Sequence, residues 1–321
     1  MKELSYLETV KLISEIKKYF EKQLEVRLSL TKVEAPLFVR KDSGLQDYLS
    51  GKEKSVGFKK DGVDFEIVHS LAKWKRFALG KYDFPMHTGL YTEMRAIRKD
   101  EEVDYLHSLY VEQYDWEKVI SKEDRTLEYL EETVKSIYKA LRQTGIYLKD
   151  KYHYLDTTLP KTITFITTQE LEDMYPSLTP KEREEKIVKD KKAVFIIGIG
   201  DKLKSGKVHD LRSPDYDDWS LDGDILVYDK TLDCAIEISS MGIRVDKTSL
   251  YTQLTKTKTL DKVTLPYHKM ILEDRLPLTI GGGIGISRIL LLFLKKAHIA
   301  EVQASSWDDK TLAEIKKYKS L

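Results

Sequence analysis

Thr279-Ile280-Gly281-Gly282-Gly283-Ile284-Gly285-Ile286-Ser287-Arg288, followed directly by Ile289-Leu290-Leu291-Leu292-Phe293-Leu294, is an extended glycine-rich segment that feeds an apolar helix. Glycines at this density let a backbone pass close to something flat or bulky, which is the geometry of a ligand floor. Arg288 stands at the start of the helix, where a planar, permanently charged guanidinium can reach a phosphate. A bound nucleotide is the first reading and a tight turn is the second. The stretch is not a P-loop, because no Gly-Lys-Ser or Gly-Lys-Thr follows. A dinucleotide fold would want its glycines after the first strand, with an acidic ribose ligand further on.

The rest of the chain sets bounds on that ligand site. At 321 residues it can bury a substantial core as one large domain or two modest ones. With 54 Lys plus Arg against 53 Asp plus Glu, the net charge of +1 gives no global field toward nucleic acid or membrane. A single cysteine, Cys234, excludes an internal disulfide and a multi-cysteine metal cluster. Neither a signal-type apolar run at the N-terminus nor a membrane-length apolar window is present, so a cytoplasmic location is expected.

Ser5-Tyr6-Leu7-Glu8 reads as a capping box, and Leu7, Val10, Ile13, Ile16, Phe20, Leu24 and Leu28 keep helical spacing behind it. A short extended segment, Leu30 to Pro36, follows. Val56 to Ile67 reads as a hairpin turning at Lys60-Asp61-Gly62. Ser70 is expected to cap a short helix closed by Gly80, with Lys73, Lys75 and Arg76 forming either a solvated basic face or an anion site. Leu127 to Leu141 has the spacing of a core helix ending near Gly145. Thr179-Pro180-Lys181-Glu182 opens a solvated charged helix, and Ala193 to Ile199 has the apolar run of a buried central strand.

Leu90 to Arg98 and Ser108 to Glu117 are two strand-like runs. Alternation in the second places Gln113, Asp115 and Glu117 on one face and Glu112, Tyr114 and Trp116 on the other. That acidic face is either solvated or met by cations, since burying it alone is costly. Further on, His209 to Trp219 packs four acids around one Arg and one His, which suits an ordinary surface loop. Asp224 and Glu237 each lie among apolar strand residues. Two carboxylates on adjacent strands suit Mg²⁺, with Ser239 expected beside Glu237.

Taken together, these segments resemble the three signatures of class II aminoacyl-tRNA synthetases in order. The helix and Pro36 segment is similar to the first, Arg98 with its acidic loop and the Gln-x-Asp-x-Glu strand to the second, and Ile280 to Arg288 to the third. The wording is that of the aspartyl and asparaginyl branch. His69 to Lys75 follows that branch's Gln-Ser-Pro-Gln-x-aromatic-Lys segment at Ser70, Trp74 and Lys75 and departs from it at His69, Leu71 and Ala72. The resemblance implies an α+β catalytic domain of class II synthetase type, a mostly antiparallel sheet flanked by helices, spanning 1–321 as a single domain and usually a homodimer. The first signature helix starts at about residue 6, so no anticodon-binding barrel is expected, and tRNA or other nucleic acid is not an expected partner.

The runs Leu45-Gln46-Asp47, His69 to Arg76, Pro214 to Trp219 and Ser239 to Arg244 resemble the ammonia-dependent asparagine synthetases, or aspartate-ammonia ligases. That likeness implies activation of the aspartate β-carboxylate by ATP as an acyl adenylate, and displacement of AMP by ammonia. It assigns Asp47, Ser70, Lys75, Gln113, Asp115, Arg212 and Ser240 to aspartate, and Arg98, Glu101, Glu237, Gly283, Gly285 and Arg288 to ATP. Asp224 and Glu237 would hold Mg²⁺, while Asp217 near the amide end takes a proton from ammonium. No amidotransferase domain or N-terminal cysteine is present, so free ammonia is the expected nitrogen donor. Two other readings remain: a binding subunit without chemistry, and a ligase that transfers aspartate to another amine.

Overall fold

The Ser5 hydroxyl accepts from the Glu8 N–H at 3.3 Å and the Glu8 carboxylate accepts from the Ser5 N–H at 2.9 Å, so the first helix starts at its capping box. The computed structural model describes residues 4–51 and 53–321 and carries this helix, α1, over Tyr6–Leu28. Its buried stripe is Thr9, Leu12, Ile16, Phe20, Leu24 and Leu28, whereas Leu7 (66%) and Val10 (38%) are exposed. Apolar residues on adjacent faces allow two stripes of helical spacing, and the packing partner selects one.

Strands β1 (Leu30–Lys32) and β2 (Phe38–Arg40) precede the hairpin of β3 (Gly57–Lys60) and β4 (Val63–Ile67), whose turn residues Asp61 and Gly62 have φ of 47° and 79°. Helix α2 (Ala72–Lys81) departs from expectation at both ends. Leu71 is its N-cap, while the Ser70 hydroxyl accepts from the Ala72 N–H at 3.3 Å and donates to Asp47 Oδ2 at 2.5 Å. Gly80 lies within the helix and packs closely, since a Cβ there would stand 3.0 Å from Pro277 Cδ and 3.1 Å from Leu276 Cδ2. Then come β5 (Gly89–Ile97), β6 (Tyr110–Val119) and α3 (Leu127–Lys151), which runs on through Gly145. That position must lack a side chain, since a Cβ would fall 2.4 Å from the Thr157 carbonyl. The order closes with β7 (Thr164–Thr167), α4 (Thr168–Met174), α5 (Pro180–Lys191), β8 (Ala193–Ile197), β9 (Asp217–Asp229), β10 (Cys234–Arg244), α6 (Lys247–Lys256), α7 (Pro266–Leu272), β11 (Thr279–Gly285), α8 (Ile286–Leu294) and α9 (Asp309–Ile315).

Eight of these strands form one sheet in the order β1-β5-β6-β11-β10-β9-β8-β7, antiparallel except at its two outermost pairs, and β2-β4-β3 form a small second sheet. The all-apolar β8 is buried throughout but is second from the edge rather than central. On one face of the large sheet, Ile16, Phe20 and Leu24 of α1 and Phe293 of α8 join Tyr114, Trp116, Ile280 and Ile284 in the main core. Each such side chain contributes about 1.5–3 kcal/mol on full burial. The other face carries the polar residues.

A bulge in β10 decides which residues reach that polar face. Glu237 pairs with Leu226 and Ser239 with Ile225, so Ile238 is the extra residue. Core-facing residues are Ile236 before the bulge, Ile238 in it, and Met241 and Ile243 after it. The polar face therefore carries Glu237 and then Ser240, Gly242 and Arg244. Ser239, expected beside Glu237, is buried on the core side. No described helix is long and apolar enough to cross a membrane.

Candidate active site

Asp115 and Glu117 on β6 are 2% and 0% exposed, so their face is not solvated. Isolated carboxylates there would cost several kcal/mol each, and cations from α2 and β10 meet them. Lys73 (2%), Lys75 (0%) and Arg76 (1%) are all buried, which overturns the solvated basic face. Lys75 Nζ donates to Asp115 Oδ1 at 2.5 Å and to the Gly282 carbonyl at 2.9 Å, and lies 3.8 Å from Glu117 Oε2. Burial pushes this ammonium down, against the pull of Asp115 and Glu117. Arg76 donates to the carbonyls of Pro277 and Val245 at 2.9 and 2.7 Å, tying α2 to the chain entering β11 and leaving β10.

Arg244 closes this network. Its Nε and Nη2 donate to Glu117 Oε1 and Oε2 at 3.0 and 2.8 Å, and its Nη1 donates to Asp217. The two acids respond differently. Burial would raise Glu117, but Arg244, Lys75 and the Thr279 hydroxyl outweigh it and hold the carboxyl below its usual range. At Asp217 burial wins over Arg244 and Arg212, and the charge of Glu117 adds to it, so that carboxyl is pushed up.

The glycines of β11 make room for this network. A Cβ on Gly281 would lie 2.0 Å from Glu117 Oε2 and 2.7 Å from Arg244 Nη2, and one on Gly283 would lie 2.6 Å from Gln113 Oε1. Gly282 points the other way, where a Cβ would meet Met241 Cβ at 2.5 Å. The segment is thus a strand, not a turn, and its bareness accommodates the protein's own side chains.

Beyond Gly285 the chain turns into α8. Arg288 Nη1 donates to the Glu237 carbonyl at 2.9 Å and lies 3.5 Å from Glu237 Oε2, while Nη2 meets His107 Nε2 at 3.0 Å. Arg98, at the end of β5, donates to the His69 carbonyl through Nε and Nη2 at 3.3 and 3.2 Å. Both arginines line one cavity of about 330 Å³. Asp47, Ser70, Lys75, Gln113 and Asp115 line it, as do Arg212, Asp217 and Ser240. Glu101, Glu237, Gly283 and Gly285 complete the expected residues there. Asp224 is not among the lining residues; its Oδ1 accepts from Arg212 Nη2 at 2.7 Å, behind Ser240, which accepts from Arg212 Nη1 at 2.5 Å.

The sequence profile of the aspartate-ammonia ligase family matches residues 7–319. The aspartate-ammonia ligase of Clostridium perfringens strain SM101 is 56% identical over 309 residues, 95% of this chain and 92% of that one. That of Bacillus cytotoxicus is 56% identical over 312 residues, 97% of this chain and 95% of that one. The chain belongs to the aspartate-ammonia ligase family. Members of the family make asparagine from aspartate and ammonia with ATP. Among solved structures, the asparaginyl-tRNA synthetase of Pyrococcus horikoshii complexed with asparaginyl-adenylate superposes with a TM-score of 0.65 at 13% identity, covering 91% of this chain and 67% of the synthetase. The aspartyl-tRNA synthetase of Entamoeba histolytica gives 0.62 at 16%, covering 94% and 58%. The ligase therefore has the class II synthetase fold and spans less than two thirds of the aspartyl enzyme.

In this ligase His209 to Trp219 is no surface loop. Asp215 (0%), Asp217 (1%) and His209 (4%) are buried. Asp215 Oδ2 gathers Lys73 at 2.7 Å, His268 at 3.0 Å and Lys262 at 3.2 Å, and its Oδ1 accepts from Ser213. Sequence reasoning sets Glu117 and Arg244 in segments near the site but gives neither them nor Tyr216 a ligand, yet Arg244 and Tyr216 line the cavity and Glu117 holds Arg244. The period of two on β6 signals Glu117; the bulge in β10 hides Arg244. Among the described residues no group of three or more His, Cys, Asp or Glu is placed to hold a metal. The Asp224 carboxyl is pushed up to about 7 by burial and by the charge of Glu237, despite Arg212.

Proposed function

We propose that this chain makes L-asparagine in two steps within that single cavity, forming a β-aspartyl adenylate from L-aspartate and ATP and then passing the aspartyl group to ammonia. The observation that carries this reading is the meeting of Arg98, Arg288 and the Lys75–Asp115 pair in one pocket. As the β-carboxylate attacks the α-phosphate, negative charge grows there, and the two guanidiniums stabilise it. Each such preorganised donor contributes on the order of 2.7–4 kcal/mol in a transition state. Gly283 and Gly285 form the bed under the nucleotide, with Glu101 at its edge.

Asp47, Ser70, Lys75, Gln113, Asp115, Arg212 and Ser240 hold the aspartate. Ser70 and Asp47 are already locked together, so the substrate meets a fixed surface. Asp217, with its raised carboxyl, takes a proton from nitrogen at the amide end. Asp224 and Glu237 would hold Mg²⁺, which supplies charge neutralisation on the ATP phosphates. A cation would stabilise the raised Asp224 carboxyl beside Glu237, and Arg212 pairs with Asp224 on its other side. The chain acts as one catalytic domain, its large sheet drawing β1 and β11 from opposite ends of the sequence. It works in the cytoplasm as a homodimer without tRNA; exposed Tyr6, Leu7 and Val10 on α1 and the exposed Phe38 and Phe58 favour an interface there.

One assay tests the reading. With aspartate, ATP, Mg²⁺ and an ammonium salt, AMP, pyrophosphate and asparagine should appear together, and ATP–pyrophosphate exchange should need aspartate but not ammonium. Release of ADP, or asparagine formed from glutamine but not from ammonium, would overturn it.

A further inference from the structure

A second, smaller cavity of about 110 Å³ adjoins the first and shares Leu49, Arg98 and Glu101 with it. It has room for a few molecules the size of water. Four acids, Glu53, Asp100, Glu101 and Glu102, line it against two cations, Arg98 and Lys99, with Lys99 engaged by Asp100 at 2.5 Å. Its floor is His69, 1% exposed. His69 Nδ1 lies 3.0 Å from the Asp47 carbonyl, which can only accept, so Nδ1 carries the proton. In the neutral ring Nε2 is then a lone-pair acceptor. That atom is buried and has no hydrogen-bond partner among the described residues. A buried acceptor without a donor is unfavourable by itself, and the acidic wall favours a donor that is cationic.

We infer that this cavity admits ammonium, and that His69 Nε2 accepts one of its N–H groups and takes that proton as the nitrogen passes to the acyl adenylate. The inference rests on the adenylate reading above. The location suits it: His69 lies between Asp47 and Ser70 at the aspartate end, and its carbonyl holds Arg98, assigned to the α-phosphate. On the adenylate reading the acyl carbon falls between those groups. His69 is also a position at which the segment departs from the tRNA synthetase wording. Burial holds the imidazole below its usual range, with Arg98 adding to the effect and Asp47 and Glu53 opposing it, so the ring stays neutral and able to accept.

The step balances. Ammonium gives its first proton to His69, and the resulting ammonia forms the C–N bond as the C–O bond to the α-phosphate breaks and AMP departs with that electron pair. The second proton leaves the nitrogen for Asp217 as the amide forms, and both protons return to solvent.

His69→Asn tests this, because the shorter amide can still donate to the Asp47 carbonyl but offers no acceptor at the Nε2 position. KM for ammonium should rise about ten- to a hundredfold, as expected for a lost charge-assisted hydrogen bond. Aspartate-dependent ATP–pyrophosphate exchange and hydroxamate formation with hydroxylamine, already neutral at neutral pH, should stay within about twofold. The ammonium-dependent rate of the variant should recover as pH rises. Glu102→Gln, on the wall, should shift the same constant in the same direction. An unchanged ammonium KM would mean that Nε2 holds only a water. Equal loss of exchange, hydroxylamine and ammonium activity would mean a structural role. Either result overturns the inference, whereas absence of exchange in the unaltered protein would instead overturn the adenylate reading.

Discussion

Replacing Gly281 by alanine sets a methyl carbon 2.0 Å from Glu117 Oε2, 2.6 Å from its Cδ and 2.7 Å from Arg244 Nη2. Both side chains are almost fully buried, so neither can swing into solvent. The carboxylate must leave a position where it accepts from Arg244 at 3.0 and 2.8 Å and from the Thr279 hydroxyl at 2.7 Å. Breaking a buried charge pair costs about 3–5 kcal/mol, which is a large share of a domain's typical stability of about 5–15 kcal/mol. Gly283→Ala is the control on the same strand. Its methyl lies 2.6 Å from Gln113 Oε1, the end of a flexible, half-buried side chain that can turn into the cavity, so stability should change by about 1 kcal/mol or less while KM for aspartate rises. Urea unfolding followed by circular dichroism reads both. If Gly281→Ala unfolds at the same midpoint as the parent, or the two variants lose equal stability, the account of these glycines is wrong.

Arg98→Ala should lower ATP–pyrophosphate exchange by roughly 100- to 1000-fold with little change in unfolding midpoint; unchanged exchange removes Arg98 from the phosphate. Lys73→Met should leave Asp215 short of a buried partner and free the Gln46 carbonyl, lowering stability by about 3 kcal/mol and raising KM for aspartate, as thermal melts and initial rates would reveal. Glu93 is paired with Lys17 and Lys32, both at 2.6 Å; burial opposes ionisation, but the two ammonium groups lower the carboxyl from 4.5 to about 2. Its stabilisation is therefore complete above pH 4.5 and fades as pH falls toward 2, and Glu93→Gln should flatten that acid limb in a pH series of melts.

Where a signal is local, the sequence carries it. The Ser5 capping box, the Asp61-Gly62 turn, the Thr179 cap of α5 and the alternation of β6 each rest on a few neighbouring residues, and each appears where it was expected. The buried charges are different. Lys75 meets Asp115 at 40 residues' separation, Arg244 meets Glu117 at 127 and Lys73 meets Asp215 at 142. Periodicity says which residues share a face, but not what covers that face, so a buried basic helix and a solvated one read alike. Resemblance to the family supplied the assignment of Lys75 that periodicity could not. The bulge at Ile238 escapes for a related reason: strict alternation is a rule about regular strands, and the extra residue has no composition of its own.

The glycine strand explains why so many charges are buried here at all. From Gly281, beside Glu117 and Arg244, to Gly285, at the foot of α8 with Arg288, β11 advances four residues, roughly 13 Å. One end of that span holds the Lys75–Asp115 and Arg244–Asp217 pairs, joined through Glu117; the other holds Arg288, His107 and Glu237. The first set is desolvated and both sets are oriented before any substrate arrives, so the cost of fixing them falls on folding and not on the reaction. A loose, solvated set of the same charges would have to reorganise as the phosphate charge develops, and much of its stabilisation would be lost to that reorganisation. Any residue larger than glycine at Gly281 would disrupt the first group and at Gly283 would displace Gln113 from between the two. The bare strand is what lets opposite charges stand this close along the line on which we propose the substrate lies.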